Sequence, residues 1–181
     1  LPYNSVSFFR KYGELCYEMN ENMGQRDNGA VAIDENGEIY LVAAPVDSVG
    51  MVLDKEWALG IEEPHVMGSG PLLVYNGENA YLNEGSFNAK RHPRSAVATN
   101  DKKIFLITVD GRAPGLADGM SLPEFTRIMN YIGAENALNL DGGGSTTLYV
   151  EGKGIVNHPS DNKKFDNEGE RYVVNSLLFI K

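Results

Sequence analysis

The stretch from Ile104 to Asp141 constrains the fold more tightly than any other part of the chain. Ile104-Phe105-Leu106-Ile107-Thr108-Val109 is nearly all apolar, the pattern of a strand covered on both faces. Ser121-Leu122-Pro123-Glu124 matches a capping box, with Ser121 as N-cap and Glu124 closing it. Leu122, Phe125, Ile128, Met129 and Ile132 recur at helical spacing, and Gly133 stands where a helix-ending glycine belongs. Ala137-Leu138-Asn139-Leu140 reads as a second, shorter strand. The segment is therefore predicted to be a strand-helix-strand unit over residues 104–141. Parallel pairing of its strands would make the crossover right-handed and bring Asp110 and Asp141 side by side at their carboxyl ends. In open α/β sheets ligands bind outside those ends.

Turn signals divide the rest of the chain. Glu35-Asn36-Gly37 separates Ala30–Asp34 from Glu38–Ala43, a hairpin signature. Asn100-Asp101-Lys102-Lys103 separates Ser95–Thr99 from Ile104–Val109 and predicts a second hairpin. Pro71–Tyr75 is an apolar run ended by Asn76-Gly77, and Thr146–Val150 precedes the turn Glu151-Gly152-Lys153-Gly154. A weaker helix is expected over Val52–Leu59 and a closing strand over Val173–Ile180. The expected fold class is α+β or mixed α/β: a single domain over residues 1–181, with a twisted mixed sheet and flanking helices.

Composition narrows the partners. A formal net charge of −9 repels polyanions, which argues against nucleic acid. No apolar run approaches the roughly 20 residues of a membrane span. Cys16 is the sole cysteine, so no internal disulfide and no thiolate zinc site can form, and it reads as a small buried hydrophobe. One cysteine suits the cytosol and equally a bacterial exported protein that does without disulfides. The chain begins Leu1-Pro2-Tyr3, without Met and without a signal peptide, as a processed or trimmed product would. The expected location is extracytoplasmic, periplasmic or secreted.

The chemistry concentrates at the two strand ends. Asp141-Gly142-Gly143-Gly144-Ser145 follows one of them. Three glycines in a row suit positive φ or close approach of a ligand to the main chain, and free amides in such a turn can hold an anion. The segment lacks the lysine and spacing of a P-loop. Asp110-Gly111-Arg112 occupies the other end, and its arginine can grip a phosphate in bidentate fashion. Arg94 opens the strand Ser95–Thr99, and Glu170-Arg171 stands at another strand boundary. Asn157-His158-Pro159-Ser160-Asp161 reads as a turn rich in side-chain acceptors. The three histidines His65, His92 and His158 lack zinc-protease spacing. Ser145 is the one attractive candidate for a serine nucleophile, without the usual Gly-x-Ser-x-Gly elbow.

Taken in order, the motifs resemble the phosphodiester glycosidase (NAGPA-like) family. The matching stretches are Gly70-Pro71-Leu72-Leu73, His92-Pro93-Arg94-Ser95-Ala96, Val109-Asp110-Gly111-Arg112, Gly119-Met120-Ser121-Leu122, Asn139-Leu140-Asp141-Gly142-Gly143-Gly144-Ser145-Thr146, Val156-Asn157-His158-Pro159-Ser160, and Glu170-Arg171 with Asn175. They run from about Gly70 to the C-terminus. Asn4-Ser5-Val6-Ser7-Phe8-Phe9 matches a further family stretch, with Ser5 and Val6 departing from its usual glycine, and Tyr172 replaces a usual proline. The resemblance implies a domain lacking some N-terminal strands of the family.

It also implies that Arg94, Asp110, Arg112, Asp141, Gly142, Gly143, Gly144, Ser145, Asn157, Ser160, Glu170 and Arg171 line one cavity. The implied reaction is hydrolysis of the sugar C1–O bond in a sugar-1-phospho-sugar diester. The expelled phosphate monoester has a second pKa near 6 and needs little help from a general acid. Cations for the phosphate are then Arg112 with Arg94 or Arg171, and the carboxylates are Asp141 with Asp110 or Glu170. The expected partner is a small-molecule or glycan phosphodiester. No cofactor is required. Several carboxylates at one rim could bind calcium, but no loop has calcium-ligand spacing. Two other readings compete: a metal-dependent phosphodiesterase and a non-catalytic glycan or phosphosugar binding module.

Overall fold

The computed structural model describes residues 7–18, 24–54 and 56–180, without the side chains of residues 24 and 25. Its strands are β1 (Phe9–Lys11), β2 (Glu14–Tyr17), β3 (Gly29–Ile33), β4 (Ile39–Ala43), β5 (His65–Ser69), β6 (Leu72–Tyr75), β7 (Glu78–Asn79), β8 (Arg94–Asn100), β9 (Lys103–Val109), β10 (Asn136–Leu140), β11 (Tyr149–Val150) and β12 (Gly154–Ile155). Helices are α1 (Ser86–Ala89) and α2 (Leu122–Tyr131), with 3₁₀ turns at Gly24–Asp27, Trp57–Gly60 and Gly143–Ser145.

Two five-stranded sheets form, in the orders β2-β1-β5-β3-β4 and β7-β6-β10-β8-β9, and β11 and β12 make a small ribbon. Alternation along the central strands sorts side chains into separate cores. Val31, Leu41, Leu72, Val97 and Leu138 come from both large sheets and pack together between them. Leu73, Ala96, Ala98 and Ala137 turn the other way and meet Leu122, Phe125 and Met129 of α2. Phe8, Ala30, Ala32 and Val66 face the far side of the first sheet, against Ala58 and Ile61. β3, β6, β8 and β10 are the strands buried on both faces, whereas the apolar run Ile104–Val109, expected to be covered on both faces, forms the sheet's end strand β9 with Ile104 and Leu106 exposed.

Helix α2 begins as expected. Ser121 Oγ accepts from the Glu124 amide at 3.3 Å, and the Glu124 carboxylate accepts from the Ser121 amide at 2.9 Å. Both expected hairpins are present as β3–β4 and β8–β9.

Other expectations need correction. Every strand pairing among the described residues is antiparallel, so the sheets are not mixed, and the domain is richer in strand than an α+β reading anticipates. β9 and β10 are not neighbours, because β8 lies between them and pairs with each. The strand-helix-strand stretch therefore joins next-but-one strands. The apolar pattern could not reveal this, since a run of apolar residues does not say which strand lies beside it or whether both faces are covered. Residues 173–180 form no strand; Leu178 and Ile180 are exposed, and Leu177 alone of the apolar residues there packs against a core. The helix expected over Val52–Leu59 is reduced to the 3₁₀ turn Trp57–Gly60, with Val52 bridging Val46. Cys16 is exposed on β2, the last strand of its sheet, not buried. The Asn4–Val6 part of the N-terminal match lies outside the described residues.

Candidate functional site

β8 runs antiparallel to both of its neighbours, so β9 and β10 point the same way. Arg94 pairs with Val109 and Ser95 with Leu140, so Asp110 and Asp141 leave the same sheet edge on either side of the start of β8. The two glycine motifs dock there on one residue. Gly111 packs so near that a Cβ would lie 2.8 Å from Pro93 N, and the Gly143 amide donates to Pro93 O at 2.9 Å.

Asp110 is held by the segment that follows β12. Its Oδ1 accepts from the His158 amide at 2.9 Å and the Asn157 side-chain amide at 3.3 Å. Its Oδ2 lies 2.7 Å from His158 Nδ1. The carboxylate thus fixes both backbone and ring of His158, leaving Nε2 as the outward nitrogen. The imidazole stacks on Phe165, with centroids 3.9 Å apart and planes 9° from parallel. About a third of the His158 side chain stays exposed (32%), so solvent or a ligand can reach it. Asp141, by contrast, is exposed and makes no hydrogen bond or ion pair among the described residues.

Above the glycine turn sits a second pair. Arg171 Nε and Nη2 donate to Asp161 Oδ2 and Oδ1 at 2.6 and 2.9 Å. The hydrogen bonds from Arg171, and more weakly the charges of Arg171 and Arg112, hold the Asp161 carboxyl below its ordinary value. A Cβ on Gly144 would collide with this pair, and one on Gly143 would lie 2.7 Å from Arg112 Nη2. A Cβ on Gly142 would lie 2.7 Å from Pro93 O, so all three glycines have a steric reason. Arg112 has φ of +60°, a conformation unusual for a side chain of its kind.

The structure gathers Asp110, Arg112, Gly142 to Ser145 and Arg171 near one another, and it buries two of the expected ligand-binding residues, Arg94 and Asn157. Arg94 is 2% exposed, and its guanidinium donates to the carbonyls of Met120, Phe87 and Lys90 at 2.9, 2.7 and 2.9 Å. It knits the interior and does not face a ligand. Burial, with the nearby Arg26 charge, pulls its pKa down to about 10. Asn157 is buried too. Its Oδ1 accepts from the Leu148 amide at 2.7 Å, and its Nδ2 donates to Thr146 O at 3.0 Å as well as to Asp110, so its polar atoms are engaged within the protein. Glu170 is exposed and has no hydrogen bond or ion pair among the described residues. Ser160 Oγ is buried without a partner. Ser145 makes no contact with a histidine that would fit it as a nucleophile.

Sequence reasoning missed His158, Asp161 and Phe165. The signal was present in Asn157-His158-Pro159-Ser160-Asp161, but a turn rich in acceptors looks the same whether or not a strand-end carboxylate lies beneath it. Among the described residues no group of three or more His, Cys, Asp or Glu is arranged to hold a metal ion, and no helix is long and apolar enough to cross a membrane.

One edge of the second antiparallel sheet carries Asp110, Arg112 and Asp141, and the irregular segment after β12 lays an imidazole and a second guanidinium over it. Residues 2–180 match the phosphodiester glycosidase family, and the chain belongs to it. The zebrafish N-acetylglucosamine-1-phosphodiester alpha-N-acetylglucosaminidase catalytic domain, auto-inhibited by its pro-peptide, shares the fold. That likeness has a TM-score of 0.63 at 22% identity, over 92% of this chain and 56% of that one. The SPbeta prophage-derived uncharacterized protein YomE of Bacillus subtilis (strain 168) is 38% identical over 88 residues, 48% of this chain and 12% of YomE. A hypothetical protein from Synechocystis is similar at a TM-score of 0.45 and 26% identity, over 73% of this chain and 31% of that one. The chain therefore spans little more than half the length of the first of these structures and a small part of YomE.

Proposed function

We propose that the chain hydrolyses the sugar C1–O bond of a sugar-1-phospho-sugar type phosphodiester. The observation that carries this reading is the Asp110–His158 pair at 2.7 Å, set at the same edge as Asp141 and Arg112, in a chain of this family. Asp110 is best read as a positioning residue: both of its oxygens are occupied by residues 157 and 158. Held this way, His158 keeps its Nδ1 proton toward the carboxylate, so Nε2 is left as a base for water. The exposed Asp141 carboxylate supplies negative charge for the oxocarbenium-like carbon. Water attacks C1, the C1–O bond breaks, and the electron pair leaves with the phosphate monoester. That group departs as an anion, so the reaction needs a cation more than a general acid. With the Gly143 and Ser145 amides donating to Pro93 O and Gly142 O, the amides of Gly142 and Gly144 are those of the turn left to hold phosphate or sugar oxygens.

Incubation with an N-acetylglucosamine-1-phospho-mannose diester in ¹⁸O-water tests the reading. Free sugar carrying the label at C1 is expected. Label in the phosphate, with sugar-1-phosphate released, would mean P–O cleavage and overturn it. Asp141→Asn is expected to lower turnover by roughly 10²–10⁴-fold with the fold retained; normal activity would remove Asp141 from the mechanism. A binding module is the second reading, favoured by the chain's spanning 56% of the enzyme structure it resembles. Tight binding of the diester without product over hours would select it. The extracytoplasmic location belongs to the same proposal, and fractionation of the source cells tests it.

A further inference from the structure

The whole chain carries a formal charge of −9, yet beside the His158 ring lies a cavity of about 210 Å³ with three cations and no carboxylate in its lining. Arg112, Lys163 and Lys164 supply the charge, and Ser160 and Phe165 complete the polar and aromatic walls. Among the described residues none of the three cations has an ion-pair partner within 4 Å, whereas Arg171 is bonded to Asp161 and Arg94 is spent on carbonyls. Two of the three are also conformationally unusual. Arg112 and Lys163 each have φ of +60°, and only Tyr12 and Asn76 share a positive φ among the other described non-glycine residues. Such backbone is strained for a side chain of this kind and persists where the surroundings demand it. Here it turns two cationic residues of separate loops into one hollow. Ser160 Oγ, buried without a partner, adds a hydroxyl donor. Phe165 joins the hollow to the reacting groups, since it lines the cavity and stacks on His158.

The volume is below the roughly 300 Å³ at which pockets for whole drug-sized ligands begin, so the cavity suits one compact group. We propose that it is the phosphate subsite: Arg112, Lys163 and Lys164 bind the phosphate of the substrate, with Ser160 donating, and the Lys163-Lys164-Phe165 turn makes the chain selective for anionic leaving groups. This rests on the reading of the chain as a phosphodiester glycosidase for its consequence in turnover, but not for the binding itself.

The test uses inorganic phosphate as the probe, measured by calorimetry on the whole chain at low salt. Wild type is expected to bind it, with affinity falling as salt rises. The double variant Lys163→Gln/Lys164→Gln should bind roughly tenfold or more weakly, and Lys163→Arg/Lys164→Arg should restore most of the affinity. Both lysines are exposed, so the fold should survive, and circular dichroism checks it. Equal affinity in wild type and the Gln variant, or no phosphate binding by wild type, would overturn the subsite. The diester separates the two readings. Phosphate binding lost in the variant, with no diester turnover by wild type, leaves the subsite standing and fells the glycosidase. Diester turnover with KM unchanged in the Gln variant does the opposite.

Discussion

Arg94 and Arg171 belong to two regions that meet at one edge, and they are held in opposite ways. Arg94 starts β8 inside the strand layer, almost without exposure, and its three hydrogen bonds run to carbonyls of the segments around it. Arg171 lies in the irregular segment over the edge, half exposed at 48%, and is neutralised by one carboxylate. In the first region burial makes each polar contact costly to lose. In the second, water can replace a lost partner, and charge is arranged for ligands and not for stability. The family resemblance offered both arginines as phosphate ligands; the difference in surroundings separates them.

The comparison breaks most readily at Arg94. Arg94→Met should destabilise the fold by about 3 kcal/mol, because three buried carbonyls lose their donor together. Arg94→Lys should fall between, since an ammonium retains charge without the planar fork. Denaturant unfolding of the three proteins measures this. A loss for Arg94→Met no larger than that for an exposed arginine would erase the distinction between the regions.

A buried carboxylate at the end of the 3₁₀ turn before β3 sharpens the same point. Asp27 is 1% exposed, its Oδ1 accepts from the Ser7 hydroxyl, and its Oδ2 has no partner among the described residues. Burial raises its pKa from 3.8 to about 6, against the smaller opposing effects of Ser7 and Arg26. Between about pH 4 and 6 the folded chain therefore keeps a proton that the unfolded chain has released. Stability from this group is full below that window and is lost as pH rises through it. Relative to Asp27→Asn, wild type should lose on the order of 2 kcal/mol between pH 4 and pH 7, with no further change above. Unfolding free energies of both proteins across that range check it; a difference independent of pH would mean that Asp27 titrates normally.

The two regions also differed in how far they could be read from sequence. The capping box at Ser121 and Glu124, the hairpin turns and the apolar face of α2 are local signals, and each formed as expected. The order of strands is not local. The β8–β9 hairpin is local, but nothing in residues 104–141 reveals that β8 also takes the place beside β10, because that rests on the pairing of Ala96 with Asn139 across a long stretch of chain. Asp110, Arg112 and the triglycine turn were legible as strand-end motifs, and one edge does carry them. His158 was not, because its significance comes from Asp110, 48 residues away. The Val173–Ile180 pattern looked like a strand because it is apolar, but composition alone does not supply a partner edge.

The smallest expected effect tests the other side of the comparison. The Arg171–Asp161 pair is bidentate, which favours it among surface ion pairs, and Asp161 is held below the usual carboxylate range chiefly by Arg171. A depressed carboxylate contributes stability above its ordinary pKa and loses it as pH falls. Both partners are substantially exposed, however, at 48% and 32%, so solvent and salt screen the contribution. Arg171→Gln should therefore cost less than about 1 kcal/mol at neutral pH, and the cost should shrink toward zero in roughly 1 M salt. A loss comparable to that of Arg94→Met, insensitive to salt, would mean that the segment over the edge is as integral to folding as the strands beneath it.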